Sequence, residues 1–249
     1  MNWTDRALVL GCRSLGESGV VLEVLTREHG RHLGLVHGGR SRRLQPVLQA
    51  GNGVVASWRA RLDEQLGSFT VEAEALRAAR LIGSAAALFG VGALTAHLRL
   101  LPERDPHPDL FGAAEEVLDR LDGPEAGATM VRFELMLLAD LGFGLDLSAC
   151  AVTGRRDDLA YVSPKSGRAV SRESAAPYRD RLLPLPAFLL DESAGPPEPE
   201  ALGDAIRLTG HFLEAHLYGP RGATLPDERA RFVALAAPAT ARPASVRFG

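Results

Sequence analysis

The sequence predicts an α+β fold in several parts: a small β-barrel, a helical domain, and a ribbon-like insert within the helical domain. Three observations carry this. Short apolar or alternating runs separated by turn residues fill the first 75 positions. From Leu76 the apolar spacing becomes helical. Then Cys150-Ala-Val-Thr153, a gap of 17 residues, and Ser171-Arg-Glu-Ser174 give the outline of a zinc ribbon. Two C-x2-C pairs at that separation read as a structural Zn2+ site.

Five runs predict the barrel strands: Ala7–Cys12, Val20–Thr26, His32–His37, Gly53–Trp58 and Ser68–Ala73. Turn signals bound them at Gly16-Glu-Ser-Gly19, Glu28-His-Gly30, Gly38-Gly39, Gly51-Asn-Gly53 and Leu66-Gly67. Short strands spaced this way suggest a small closed sheet. Leu81, Leu88, Val91, Leu94, Leu98 and Leu101 then recur at helical spacing until Pro102. Gly83, Ala87, Gly90 and Ala93 leave room for a neighbouring helix. Further helices are expected over Leu110–Leu121, Met130–Leu141 with Gly142 as C-cap, Pro199–Leu217 and Asp227–Leu235. The expected divisions are a barrel at 1–76, a first helical part at 77–146, an insert at 147–175, a second helical part at 176–237 and a flexible tail at 238–249.

Of the four insert corners only Cys150 is a thiol; Thr153, Ser171 and Ser174 offer hydroxyls, which do not replace thiolates on Zn2+. The sequence therefore predicts the shape of a zinc module without the metal, and no cofactor. Two cysteines exclude a disulfide scaffold. Met1-Asn-Trp-Thr-Asp-Arg6 lacks a basic stretch followed by an apolar one, so no signal peptide is expected, and no run reaches the roughly 18 apolar residues of a membrane span. The expectation is a cytoplasmic, nucleoid-associated protein.

Charge is uneven. Residues 1–80 hold 11 Arg against 8 acids, and the remainder 17 basic against 23 acidic residues. Arginine supplies 27 of the 28 cations, so clustering matters more than number. The sharpest cluster is Gly38-Gly-Arg40-Ser-Arg42-Arg43, a tight turn followed by three guanidiniums. Arg13, Arg27, Arg31, Arg59 and Arg61 stand at or near neighbouring strand ends. Guanidinium forks match phosphate oxygens, so these eight are the candidate nucleic-acid contacts. Trp3, Trp58 and Phe69 are the only Trp or Phe in the barrel, and at least two read as core. Binding should therefore grip backbone more than bases.

Arg132 sits beside Phe133 in an otherwise apolar helical run and needs a partner. That partner is either an internal acid such as Glu134, Asp140 or Asp146, or an external carboxylate. The sequence lacks G-x-x-x-x-G-K-[ST], G-x-S-x-G and H-E-x-x-H, and Cys12 and Cys150 have no adjacent base. His29, His32 and His37 read as surface or turn residues. An RNA-binding module of translation or transcription is the alternative, and an unrecognised enzyme using Asp157, Asp158 or the barrel histidines is a third reading.

In order, these parts resemble the RecO family of bacterial DNA repair and recombination proteins over essentially the whole chain. The resemblance is carried by Arg6-Ala-Leu-Val-Leu10, Gly16-Glu-Ser18, Leu25-Thr-Arg-Glu-His-Gly-Arg31, Val36–Pro46, Arg132-Phe-Glu-Leu-Met-Leu-Leu138, Leu141-Gly-Phe-Gly-Leu145, Cys150-Ala-Val-Thr-Gly154 and Val162–Val170. It implies an OB-fold barrel, a helical domain, a zinc-ribbon-like insert and no enzymatic turnover. It also implies binding of single- and double-stranded DNA, strand annealing, and action with RecR to load RecA on DNA coated by single-strand-binding protein (SSB). Arg132, with Phe133, matches the family's groove for the acidic, Phe-ended SSB tail.

Overall fold

The computed structural model describes residues 1–62, 64–191 and 195–236; the expected tail at 238–249 lies outside them. The chain forms two compact units, Met1–Asp122 and Gly123–Gly249.

In the first unit five strands close a barrel: β1 (Asn2–Leu15), β2 (Gly19–Thr26), β3 (Gly30–Val36), β4 (Gly53–Arg59) and β5 (Ser68–Ala75). Their order around the barrel is β1-β2-β3-β5-β4, that of an OB-fold. All five expected strands are present. β1 is longer than its apolar run because it serves two neighbours: its first half pairs with β4 and its second with β2. A bulge between Val9 and Gly11 bends it from one partner to the other. Closure rests on a single parallel pair, Leu35 with Ser68.

Alternation sends Ala7, Val9, Val20, Leu22, Val24, Val36, Val54, Ala56, Trp58, Phe69 and Val71 inward, and Leu48 joins them. Trp58 and Phe69 are core, as the sequence suggests. His32 corrects the reading of the barrel histidines as surface residues. It occupies an inward position on β3, is 3% exposed, and meets Trp58 edge-on at 4.9 Å. His29 stays at a turn, stacked on Trp3 and held by Asp5 Oδ2 at 3.0 Å.

The outward residues Leu8, Leu10, Val21 and Leu25 are buried as well. Helix α2 (Ala85–Leu98) packs on β1, and the segment after it is fixed to β2 and β3. Arg99 donates to Leu10 O at 2.9 Å and to Glu23 at 2.7 Å. Arg31 donates to Leu101 O at 3.0 Å and to Glu23 at 2.8 Å, while Arg104 N–H donates to Arg31 O at 2.9 Å. Two shorter helices complete the unit, α1 (Ala78–Leu81) before α2 and α3 (Pro108–Arg120) after it. By compactness these helices group with the barrel.

Asn52 ties the unit together from a fully buried position. Its Nδ2 donates to Pro46 O and Val47 O at 2.8 and 3.0 Å, and its Oδ1 accepts Ala78 N–H at 2.8 Å. Its backbone carbonyl accepts Val9 N–H at 2.9 Å.

The second unit is built on α4 (Ala126–Asp140), α6 (Pro199–Phe212), a π-helical segment (Leu213–Tyr218) and α7 (Asp227–Ala236). Gly142 ends α4 with φ 87°, as its C-cap reading requires. A buried ion pair joins helices distant in sequence: Arg229 Nε lies 2.7 Å from Glu134 Oε1, and Thr209 Oγ1 donates to Glu134 Oε2 at 2.5 Å. Burial alone would lower the Arg229 pKa, but Glu134 outweighs it and holds the guanidinium charged. The insert is a small sheet of order β7-β6-β8, from β6 (Leu159–Val162), β7 (Ala169–Ser171) and β8 (Leu183–Pro184). A one-turn helix α5 (Arg172–Ala175) and a 3-10 turn (Ala176–Arg181) join β7 to β8.

Asn52→Ala strands the Ala78 amide and two carbonyls without partners. It should cost about 3 kcal/mol of unfolding free energy in urea titration, with faster hydrogen exchange at Ala78. Unchanged stability and exchange would show that the clamp is dispensable.

Candidate nucleic-acid interface

OB-folds commonly bind oligonucleotides on the face of strands 2 and 3. Here that face is partly covered by the chain itself, as Val21, Leu25 and Arg31 show. Arg31 is correspondingly spent: its side chain is 15% exposed and shared between Glu23 and Leu101 O. It is a structural residue and offers no free fork to phosphate. The covering was legible in part, since Ala7-Leu-Val-Leu10 and Val20-Val-Leu22 are continuous apolar runs, the mark of strands buried on both faces.

The other candidates separate into places. Arg13, Arg40, Arg42 and Arg43 gather at the end where β1 turns into β2 and β3 runs out. Gly38, at φ 66°, makes the turn, and Gly39 packs so closely on Val20 that a Cβ would lie 2.4 Å from its methyl. The following segment is laid on the β1–β2 turn by Arg40 N–H to Ser18 O at 3.2 Å and Arg40 Nη1 to Glu17 O at 3.0 Å. Arg42 and Arg43 are exposed and, among the described residues, form no ion pair. Arg59 and Arg61 are exposed at the end of β4 and in the β4–β5 loop. Arg27 is exposed at the other end of β2, 3.4 Å from Glu28.

In the second unit Arg132 and Phe133 part company. Phe133 is 2% exposed and belongs to the core, so it cannot touch an external peptide. Arg132 is half-buried, donates to Phe188 O at 3.3 Å, and lies over the Phe188 ring at 5.5 Å. Two of the internal acids considered for it are engaged elsewhere: Glu134 with Arg229, and Asp146 with Ser148 and Arg168. Among the described residues Arg132 forms no ion pair. One turn along α4 Met136 is 42% exposed. The position therefore presents a guanidinium beside exposed apolar surface.

The insert corners do converge. Cys150 Sγ accepts Ser171 N–H at 3.3 Å, and Ser171 Oγ meets Ser174 Oγ at 3.1 Å. Loss of solvent pushes the thiol up, but hydroxyl and backbone donors from Ser171 and Thr153 outweigh that and bring its pKa down to about 5. One thiolate among three hydroxyls does not fit Zn2+. Hydrogen bonds to sulfur link these residues instead. A cavity of about 330 Å3 beside them is lined by Arg155 and the carboxylates Asp157, Asp158 and Glu173, an unfavourable balance for phosphate. Among the described residues no group of three or more His, Cys, Asp or Glu could hold a metal, and no helix is long and apolar enough to cross a membrane.

The family models for Recombination protein O, N terminal and C terminal, match residues 1–77 and 88–224. The chain belongs to the RecO family. It is 59% identical to the DNA repair protein RecO of Methylorubrum extorquens over 241 residues, 94% of this chain and 98% of that one. Similar relatives named DNA repair protein RecO occur in Chelativorans sp. (59% over 235 residues, 94% and 95% of the two chains) and Mesorhizobium japonicum (57% over 235 residues, 94% and 93%). The RecO N-terminal match ends at the barrel, short of the helices that complete the first compact unit.

The Cys150 thiolate makes stability depend on pH. A depressed folded pKa gives a contribution fully present above the unfolded thiol value of roughly 8.5 and lost as pH falls through about 5. The stability difference between the natural chain and Cys150→Ala should therefore shrink steadily from pH 8.5 to pH 5 in urea titrations. Parallel pH profiles would remove the thiolate from the account.

Proposed function

We propose that this RecO-family chain is a non-enzymatic recombination mediator. It binds single- and double-stranded DNA, anneals complementary strands and, with RecR, helps RecA replace SSB on gapped DNA. The observation that carries the reading is the exposed arginine group at the β1–β2 end of the barrel, above all Arg42 and Arg43, which have no acidic partner among the described residues. Arg13, Arg40, Arg59 and Arg61 extend it, with Arg27 standing apart.

The mechanism follows from charge. Two complementary strands repel through their phosphates, and a guanidinium surface lowers that repulsion by displacing condensed counterions. Most barrel aromatics are buried, so little on this surface competes for the bases. A strand held by its backbone keeps its base edges free to pair. Such binding is weakly selective for sequence and strongly sensitive to salt.

Arg132 supplies the second part. A guanidinium set among Phe188 and Met136 suits a carboxylate that follows an aromatic side chain, as at the end of the SSB tail. Capture of that tail would bring the barrel to DNA that SSB already covers.

Arg42→Ala with Arg43→Ala should weaken binding to unrelated DNA sequences alike and reduce the slope of log K against log salt by about 1.4–1.8, from roughly 0.7–0.9 per phosphate contact. An unchanged slope would put the DNA surface elsewhere.

Arg132→Ala should lower the affinity for an SSB tail peptide roughly ten- to a hundredfold, as expected for loss of one charge-assisted hydrogen bond, with DNA binding retained. Normal peptide binding with a lowered melting temperature would mean that Arg132 only braces Phe188.

A further inference from the structure

We propose that the metal-free insert carries a second surface for single-stranded nucleic acid, with Tyr178 stacking a base and Arg181 holding the adjoining phosphate. The inference rests on the DNA-binding reading and extends it to the second unit.

Charge singles out the insert first. Residues 150–185 hold seven cations and four acids, whereas the rest of 123–249 holds seven cations and twelve acids. A net +3 module thus stands in an otherwise acidic unit. Three of the cations are engaged: Arg155 with Asp157, Arg168 with Asp146 and Arg172 with Asp158. Arg156, Lys165, Arg179 and Arg181 are exposed and, among the described residues, form no ion pair. The surplus is therefore presented to solvent.

The second observation is an aromatic ring in the same place. Tyr178 is 60% exposed, against 7% for Tyr161 in the sheet beneath. It lies in the 3-10 turn Ala176–Arg181, where side chains three apart eclipse one another. Tyr178 and Arg181 therefore share one face of the turn. Asp180 falls on a different face. Arg179 is directed to the Tyr161 ring, 5.9 Å from its centroid, which braces the turn against the sheet. An exposed ring beside an unpaired guanidinium on a braced turn is the pairing by which proteins hold unpaired bases: the ring takes the base and the cation its backbone. Duplex DNA offers no free base face, so the surface favours single strands.

The consequence for annealing is direct. The chain has an arginine surface on the barrel that grips backbone and a smaller one on the insert that takes a base. Each unit can then hold nucleic acid. A module whose zinc ligands are replaced would keep a use for its shape.

The test uses the full chain and fluorescent oligothymidylate, with affinity followed by anisotropy across salt concentrations. Tyr178→Ala should weaken binding about five- to twentyfold, in the range known for loss of one stacked base. Tyr178→Phe should bind as the natural chain does, and Arg181→Ala should lower the salt slope by about 0.7. Duplex affinity should barely change in Tyr178→Ala. The same substitutions are repeated on the Arg42→Ala, Arg43→Ala chain. Loss from Arg42→Ala, Arg43→Ala with none from Tyr178→Ala overturns the inference and leaves the barrel reading standing. Loss from Tyr178→Ala with none from the barrel pair supports the insert surface and removes the barrel loop. Equal loss of duplex and single-strand affinity in Tyr178→Ala, or a lowered melting temperature matching the loss, also overturns it.

Discussion

The Asn52 side chain is the constraint on which the first unit turns. Backbone from three distant places meets at this one residue: the loop after β3 through Pro46 and Val47 and the start of α1 through Ala78 at its side-chain amide, and β1 through Val9 at its main-chain carbonyl. Each is a group that would be costly to bury unpaired. By meeting all three, Asn52 fixes where the arginine-bearing loop leaves the barrel and where the helical segment begins. The same loop is fixed at its other end by Arg40 on Ser18 O. Arg42 and Arg43 are thus carried on a short, twice-anchored arc, which restricts the backbone that presents them.

In the second unit the comparable element is the Glu134–Arg229 pair with Thr209. Its members come from three helical segments and satisfy one another where solvent cannot. A buried pair of this kind is weak evidence for stability by itself, but removal of one member leaves an uncompensated charge. It also explains what Arg132 lacks. The acid nearest to it in sequence is committed elsewhere, so its guanidinium rests on a ring and a carbonyl.

Much of this was legible in the chain. Alternation located the five strands, and the small residues and cap signals located the helices to within a few positions, as Gly142 illustrates. Pairings between distant residues were not legible. Arg31 and Arg42 look alike in a sequence; only the fold brings Glu23 and Leu101 to the first and leaves the second, among the described residues, without an acid. Glu134 was weighed as a partner for the Arg two residues before it, yet it binds one 95 positions later. His32 departs from its expected place because a polar residue on a strand reads as outward, while the barrel interior accommodates it among aromatic edges. Tyr178 left no periodic signal, since a single 3-10 turn is too short for a pattern.

The covering of the barrel also orders how the chain can fold as it is made. β1 finds β2 within the first 26 residues, but its opening half waits for β4, which ends at Arg59. The barrel's outer face waits longer still, until the Arg99–Asp105 stretch has been synthesised to cover Leu10 and engage Arg31. A ribosome-bound fragment ending where the five strands end would display Leu8, Leu10, Val21 and Leu25 to solvent as an apolar face. That face is therefore covered only once the Arg99–Asp105 stretch, which lies within the first compact unit of Met1–Asp122, has followed the strands.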